Sequence, residues 1–141
     1  MEIKTTRHIS EMMASRGVRP SAQRIAILRY LMDHPVHPTA EEIHKSLIHE
    51  MPTLSLTTVY NTLKLMASHN VVDILCIDPR NAHFDYPTHP HAHMWCRECG
   101  RIFDAPLTAD IDIPHVHSGF RVEGIDLYYK GTCEKCSTKT S

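Results

Sequence analysis

The chain has 141 residues, 42% of them apolar, and a formal net charge of −1, which allows one ordinary domain or two small ones with a buried core. The balanced charge gives no overall sign of nucleic-acid binding, and no apolar run reaches the length of a membrane span. Residues 1–8 contain no apolar signal region, and four of the five cysteines form two Cys-x-x-Cys pairs. We therefore expect a cytoplasmic protein without a membrane partner, whose cysteines serve metal or redox chemistry and not structural disulfides.

The first half of the chain has the pattern of four short helices. Residues 3–15 place apolar side chains at helical spacing. Ser21, Thr39 and Ser55 each precede a further apolar stripe and can act as N-caps, because their side-chain oxygens accept hydrogen bonds from the first free backbone N–H groups of a helix. Thr39 also lies three residues before a glutamate, which is the spacing of a capping box. We predict one helix within residues 3–15 and one after each cap.

Two segments of strand character follow the helices. Residues 71–77 are mostly β-branched and apolar, residues 78–81 form a turn, and residues 82–86 alternate as a strand does. Helices followed by a hairpin are the outline of a winged helix-turn-helix, in which the last helix enters the major groove of DNA. A small helical bundle with a solvated polar face would give the same pattern.

The fourth predicted helix carries the candidate base contacts. Its outward face is polar, mostly uncharged and slender, which suits contact with base edges, and Thr62 is predicted to share it. The acid-free run of arginines at 16, 19, 24 and 29 could face phosphates, although a solvated helix often carries as many without such a role. The candidate DNA-binding residues are Arg19, Arg24, Thr57, Thr58, Tyr60 and Asn61.

The second half of the chain is predicted to begin after a proline-containing linker. Strands are predicted over residues 94–96, 101–104, 120–122 and 125–129. The tail 137–141 is polar and is predicted to be frayed. These patterns indicate an N-terminal domain over residues 1–86, a hinge over 87–91, and a C-terminal domain over 92–141.

The two Cys-x-x-Cys pairs are the most specific motif of the sequence. They are Cys96 with Cys99 and Cys133 with Cys136. Four thiolates in two turns suit a tetrahedral zinc, and Gly100 permits a tight backbone after the first pair. Two redox dithiols would instead need a thioredoxin-like context, which the pattern lacks. We predict a closed, structural zinc site, and we predict that the remaining Cys76 is a small buried apolar residue.

A second set of possible ligands surrounds a His-x-His motif. His91 and His93 would point to the same face of a strand because they lie two residues apart. Their possible partners are His37, Asp85 and Asp104. Such a set suits Fe(II), Mn(II) or Zn(II), and the absence of thiolate favours the first two. Each partner also has an ordinary explanation, as a loop histidine, a turn acid or a strand-end acid. The spacing of His83, His89, His115 and His117 does not require a further site.

Five blocks of the chain, in order, resemble the ferric uptake regulator family of bacterial metal-dependent repressors. They are Arg19–Arg24, His37–Ile43, Ser55–Leu63, His91–Gly100 and Cys133–Cys136. The resemblance implies an α+β protein with an N-terminal winged helix-turn-helix domain and a small C-terminal α/β dimerisation domain that holds the four-cysteine zinc. It further implies a homodimer that binds a palindromic double-stranded DNA operator and is not an enzyme.

Within this family the chain is most similar to the peroxide-sensing branch. The resemblance implies that the regulatory site consists of His37, Asp85, His91, His93 and Asp104 and binds Fe(2+) or Mn(2+) beside the structural Zn(2+). The iron-sensing branch usually has glutamate at the positions of Asp85 and Asp104, and Asp104 is associated with peroxide sensitivity. The resemblance also implies that peroxide reacts with bound Fe(II), that His37 or His91 gains an oxygen, and that the metal is then lost and repression ends.

Two departures from the family pattern affect these expectations. The additional site of some members uses a His-His-Asp-His run, which is Pro90-His91-Ala92-His93 here, so we expect that site to be absent. Residues 105–118 are shorter and richer in proline than the long helix usual there, which leaves the details of the dimer open. The alternatives are an iron- or other metal-responsive repressor without peroxide chemistry, a small non-haem metalloenzyme, and a zinc-ribbon interaction module.

Overall fold

A computed structural model describes residues 5–87, 91–107, 119–122 and 125–139. The chain divides into two compact units, Met1–Thr88 and His89–Ser141. Helices and a hairpin form the first unit, and a three-stranded sheet with a short helix forms the second, so the predicted α+β class is confirmed. None of the helices in the described ranges has both the length and the apolar character that crossing a bilayer requires.

Four helices of the first unit begin at caps. They are α1 (Thr6–Ser15), α2 (Ala22–Asp33), α3 (Ala40–Leu47) and α4 (Leu56–Ser68). The predicted caps Ser21, Thr39 and Ser55 are confirmed, since each side chain accepts a hydrogen bond from the backbone N–H three residues later. The Thr39 hydroxyl also donates to the carboxylate of Glu42, three residues on. Local side-chain chemistry thus sets where these helices start.

The hairpin that follows α4 is shorter than predicted. It pairs β1 (Asp73–Leu75) with β2 (His83–Asp85) in antiparallel register, with Ile74 opposite Phe84. Val71 is buried but lies outside the ladder, so its apolar character reflects packing and not strand pairing. Phe84 joins the apolar core of the four helices, and this attaches the hairpin to the helical part of the unit.

One residue of α4 faces the other way from the prediction. Thr62 is only 4% exposed, whereas Thr57 and Asn61 are exposed. Thr62 lies three residues after Val59 and is next to Leu63, both of which are buried. Helical geometry therefore places it on the core side of α4, and the expectation that it shares the outward face was wrong.

The second unit is built on a three-stranded sheet with the order β4-β3-β5. Its strands are β3 (His91–Cys96), β4 (Ile102–Pro106) and β5 (Tyr128–Gly131), and α5 (Glu134–Lys139) follows. Strand β3 pairs antiparallel with β4 and parallel with β5. The turn between β3 and β4 closes through the Gly100 N–H, which donates to the Cys96 carbonyl at 2.9 Å, with Gly100 at φ +77°.

Several predictions for the second half need correction. Residues 120–122 form no strand, and the strand expected over 125–129 begins only at Tyr128. The tail was expected to fray from Ser137, yet α5 continues to Lys139. Most of the proline-rich segment 105–118 and most of the predicted hinge 87–91 lie outside the described residues, as do His89, His115 and His117.

Candidate metal centres and nucleic-acid interface

Four cysteine sulfurs converge in the second unit. Cys96 ends β3, Cys99 lies in the following turn, Cys133 follows β5, and Cys136 lies on α5. The parallel pairing of Cys96 with Gly131 brings the two Cys-x-x-Cys segments together. All four Sγ atoms lie within 4.8 Å of one another, and those of Cys99 and Cys133 are 3.9 Å apart. Sulfurs at the corners of a zinc tetrahedron are about 3.8 Å apart, so this cluster fits zinc.

The backbone around the cluster favours a thiolate at Cys96. The N–H groups of Cys99 and Cys133 point at the Cys96 sulfur from 3.5 and 3.3 Å and lower its pKa to about 6. The Cys136 thiol is affected in the opposite sense, because its hydrogen bond to Cys133 and its desolvation raise its pKa to about 12. Crowded sulfurs of this kind lose their protons together when a dication compensates the charge.

The fifth cysteine takes no part in the cluster. Cys76 lies in the first unit, one residue after β1, and is exposed. The expectation that it is a small buried apolar residue was therefore wrong. Its neighbours Leu75 and Ile77 are buried, so the alternation of side chains along the extended chain directs Cys76 outward.

A second group of donor atoms lies at the start of the sheet in the second unit. His91 and His93 are two residues apart on β3, and Asp104 on β4 is the register partner of His93. The Nε2 atoms of the two histidines are 2.9 Å apart, and Asp104 Oδ1 lies 3.1 Å from His91 Nε2 and 3.7 Å from His93 Nε2. Ligand atoms about 2.1 Å from a shared metal are roughly 3.0–3.4 Å apart at octahedral or tetrahedral angles, so these three donors lie within about 0.3 Å of the spacing that metal ligands require.

Two further candidate ligands lie in the first unit. Asp85 ends β2, and His37 lies in the loop before α3, with His37 Nε2 3.9 Å from Asp85 Oδ2. Both side chains are buried, His37 to 3% exposure, so the ordinary explanation of His37 as a surface loop residue was wrong. His37 also has a φ of +57°, the left-handed region that non-glycine residues rarely adopt.

His83 holds this loop, a role that the sequence pattern did not predict. His83 on β2 is buried, with its Nδ1 2.7 Å from the His37 carbonyl oxygen and its Nε2 3.1 Å from Asp78 Oδ2. It belongs to neither of the two groups of metal-type ligands found among the described residues. Two features of the sequence pointed to it: a histidine at a strand position beside the core residue Phe84, and an aspartate at the start of the hairpin turn.

The N-terminal end of α2 and the middle of α4 form an open cleft of about 580 Å³. Its lining includes the predicted DNA-binding residues Arg19, Arg24, Thr58 and Asn61, together with Pro20, Ser21, Gln23 and Thr62. The Arg24 guanidinium donates to the Arg19 carbonyl at 2.9 Å, which fixes one basic group at the rim. Basic and amide side chains at the end of a helix can donate hydrogen bonds to the phosphates and base edges of nucleic acids.

The other two predicted DNA contacts do not line the cleft. Thr57 is exposed one residue before Thr58. The Tyr60 hydroxyl donates to a carboxylate oxygen of Glu41 on α3 at 2.7 Å. This hydrogen bond lowers the pKa of Glu41 and raises the pKa of Tyr60, since it favours the carboxylate and the protonated phenol.

Comparisons with known proteins agree with this architecture. The sequence model of the Ferric uptake regulator family matches residues 15–129. The peroxide-responsive repressor PerR of Staphylococcus aureus is 36% identical over 146 aligned positions, covering 99% of each chain. The Helicobacter pylori ferric uptake regulator Fur has a similar fold, with a TM-score of 0.73, 20% identity and 97% of each chain covered. PerR from Streptococcus pyogenes gives a TM-score of 0.54 at 28% identity, covering 96% of this chain and 95% of that one. The match along nearly the whole length shows that the chain belongs to the ferric uptake regulator family.

Proposed function

We propose that this chain is a metal-dependent, DNA-binding transcriptional repressor that senses peroxide. The observation that carries the proposal is the group of two buried imidazoles and one aspartate, His91, His93 and Asp104, whose donor atoms lie within 3.7 Å of one another without a thiolate. Oxygen and nitrogen donors of this kind bind Fe(II) and Mn(II). The 36% identity to a peroxide-responsive repressor supports the same function.

The two metal sites have separate roles in this proposal. Cys96, Cys99, Cys133 and Cys136 hold a structural Zn(2+) that stabilises the second unit, because four thiolates leave no open coordination position. His91, His93 and Asp104 hold the regulatory Fe(2+) or Mn(2+) together with His37 and Asp85. The first three residues alone, or His37 and Asp85 alone, offer fewer than the five or six donors that such ions usually take. This supports the joint use of all five residues.

Shared ligation would make the metal a switch for DNA binding. His37 and Asp85 belong to the first unit and the other three ligands to the second, with the proposed hinge 87–91 between domains 1–86 and 92–141. Five ligands on one ion hold both domains at one angle. In a homodimer this angle sets the distance between the two recognition helices, and only one distance matches successive half-sites of a palindromic operator. DNA should in turn tighten metal binding, since coupling between two binding events is reciprocal.

The first domain would bind DNA as a winged helix-turn-helix. Helix α4 presents Thr57, Thr58 and Asn61 to base edges, and Arg19 and Arg24 contact phosphates. Tyr60 joins this surface from the neighbouring position on α4. Hairpin β1–β2 is then the wing, and it is attached to the helical core through Phe84.

The response to peroxide would act on the ligands themselves. These residues would hold Fe(II), which would supply the redox chemistry for transfer of one oxygen atom from hydrogen peroxide to a ring carbon of His37 or His91. The displaced ring hydrogen and the second peroxide oxygen would leave as water. An oxidised imidazole is a poorer ligand, so the ligand set loses affinity, the two domains are no longer held together, and the operator is released. The half-exposed carboxylate of Asp104 lies beside the buried imidazoles and gives small solutes a route to them.

Mass spectrometry after peroxide treatment tests the sensing function. We load the zinc-containing protein anaerobically with Fe(II), add one equivalent of hydrogen peroxide, and expect a gain of one oxygen atom on His37 or His91 together with loss of operator binding. Mn(II)-loaded protein is the control and should stay unmodified. The variant Asp104→Glu keeps a carboxylate and should bind DNA in a metal-dependent way while oxidising more slowly. An Fe(II)-loaded wild type that remains unmodified and bound to DNA would support a metal-responsive repressor without peroxide chemistry.

Gel shifts with palindromic DNA test the DNA-binding function. Binding should require Mn(II) or Fe(II), and Asn61→Ala should weaken it by about 1–3 kcal/mol, which is roughly 5- to 160-fold. Ser68→Ala is the matched control, because Ser68 is exposed at the other end of α4 and donates only to the Leu65 carbonyl. Metal-independent binding, or equal losses in both variants, would contradict the proposal and leave the metalloenzyme and interaction-module alternatives open.

A further inference from the structure

We propose that His83 and Asp78 are positioning residues for the metal ligand His37, an inference that rests on the proposed function of His37. Both side chains lie in the first unit, on the hairpin that also carries Asp85. Neither belongs to the group of metal-type ligands. They act through the loop that carries His37 and make no contact with a metal.

The hairpin holds this loop through two successive carbonyl groups. His83 Nδ1 lies 2.7 Å from the carbonyl oxygen of His37, and the backbone N–H of Phe84 donates to the carbonyl of Pro38 at 3.0 Å. A carbonyl oxygen only accepts hydrogen bonds, so Nδ1 must be the donor. Both bonds connect β2 to a loop about 46 positions earlier in the chain, and both are buried.

The held residue has an unfavourable backbone. His37 has a φ of +57°, and side chains other than that of glycine crowd the backbone in this region. Such a conformation persists where surrounding contacts over-determine it, and it is found most often at functional sites. A hydrogen bond to the carbonyl of the strained residue itself restricts its backbone torsions and so the direction of its imidazole.

Asp78 fixes the orientation of the His83 ring. Asp78 Oδ2 lies 3.1 Å from His83 Nε2, and Oδ1 accepts from the Arg80 N–H at 2.9 Å. The side chains of Asp78 and His83 are each only 8% exposed, so water competes little for these contacts. The ring is therefore held at both nitrogens, and its second contact is the loop of His37. Metal ligands in proteins are commonly oriented in this way, by hydrogen bonds from residues that do not themselves contact the metal.

His83 also lies on the same strand as the second ligand of this unit. Asp85 follows it by two residues on β2, and side chains two apart on a strand share a face. A single short strand therefore presents Asp85 and, through His83, determines the position of His37. The separation of 3.9 Å between His37 Nε2 and Asp85 Oδ2 depends on that one strand.

Two substitutions at His83 separate its two contacts. The amide nitrogen of asparagine occupies roughly the position of Nδ1, so His83→Asn keeps a donor for the His37 carbonyl and loses the contact with Asp78. Glutamine places its amide near the position of Nε2, so His83→Gln keeps the contact with Asp78 and loses the one with His37. Both variants are titrated with Mn(II) as zinc-loaded protein, and the zinc content and unfolding midpoint of each are measured in parallel.

We expect His83→Gln to bind Mn(II) about 10- to 100-fold more weakly than wild type, the usual effect of losing a residue that orients a ligand. His83→Asn should fall within about threefold of wild type, with the zinc content unchanged in both. Asp78→Asn should weaken Mn(II) binding to a value between those of the two His83 variants. Combined with His83→Gln it should add nothing, because Asp78 acts through His83. Asp78→Asn, which removes no contact with the loop, replaces the glutamine variant if that variant does not fold.

The reference for this series is His37→Ala. If it binds Mn(II) like wild type, His37 is not a ligand and the proposed function fails at that residue. If it weakens binding but His83→Gln and Asp78→Asn do not, the positioning role alone is overturned. Equal losses in His83→Asn and His83→Gln at unchanged stability would also overturn it, because the contact with the His37 carbonyl would then make no difference.

Discussion

Replacement of Cys99 by serine should destabilise the second unit and leave the first unit folded. The buried apolar residues that the structure describes in the second unit are Ala92, Cys96 and Ile102, whereas the core of the first unit draws on all four helices and the hairpin. A domain of this small size rarely gains enough stability from its apolar core alone. We therefore expect the second unit to depend on the zinc that its four cysteines are proposed to bind.

The expected magnitude follows from the number of ligands. Structural zinc contributes about 10–16 kcal/mol of binding free energy at neutral pH, which is about 2.5–4 kcal/mol for each of four thiolates. Losing one of them should weaken zinc binding by roughly two to three orders of magnitude. That loss is comparable with the whole stability of a small unit, so a modest concentration of chelator should remove the metal and unfold the second unit.

Zinc competition and tryptophan fluorescence provide the assay. A chromophoric chelator reports the zinc affinity, and Trp95, the single tryptophan of the chain, reports the second unit because it lies on β3 beside Cys96. We expect Cys99→Ser to lose zinc at a lower chelator concentration and to lose the native Trp95 emission at the same point. The helical circular dichroism of the first unit should change little, since its four helices pack on their own core.

Cys76→Ser is the matched control for this experiment. Cys76 is exposed, lies in the first unit and belongs to neither group of metal-type ligands, so its replacement should leave zinc affinity unchanged. The expected dependence of the second unit on zinc is refuted if Cys99→Ser holds zinc as tightly as wild type. It is also refuted if that variant loses zinc while Trp95 keeps its native emission, because the second unit would then fold without the metal.

Three further substitutions test the first unit. Phe84→Ala should destabilise it by about 3–5 kcal/mol in chemical denaturation, because Phe84 is 2% exposed, and a loss below about 1 kcal/mol would mean that the hairpin does not share the core. Ser55→Ala should cost about 1 kcal/mol in thermal unfolding, because its side chain accepts from the Thr58 N–H at the start of α4; the exposed Ser68→Ala should cost less, and equal costs would argue against the cap. Burial raises the pKa of Asp78, but hydrogen bonds from the Arg80 backbone and His83 outweigh it and hold the pKa below its ordinary value. Stability from Asp78 is therefore present above about pH 4 and lost below it, so Asp78→Asn should lose less stability than wild type on acidification, and parallel losses would contradict this.

Predictions that depend on neighbouring residues agree with the structure. Ser21, Thr39 and Ser55 cap helices as expected, because a cap needs only its own side chain and the next three backbone N–H groups. Some predictions that depend on contacts between distant residues were wrong. The strand expected over residues 120–122 does not form, and the next one begins at Tyr128, since strand limits depend on which segment supplies the partner.

Burial likewise required the folded structure. Thr62 is of a residue type that usually faces solvent, yet it lies on the core side of α4. Cys76 is of a type that is usually buried, but it is exposed. The burial of each residue depends on which face of the helix or extended chain its side chain occupies, and a shift of one position changes that face. An apolar and polar pattern with a few exceptions does not determine which face each residue occupies.

The sequence by itself determined the chemical types of the donor atoms. Two Cys-x-x-Cys pairs and a His-x-His motif place thiolates and imidazoles at spacings that local turns and strands convert into convergent donors. Only the tertiary structure decided how His37 is presented. Its burial, its left-handed backbone and the hydrogen bond from His83, 46 positions away, arise when the hairpin packs beside the loop before α3. No local spacing encodes that contact, because it depends on the packing of the hairpin against the whole helical core.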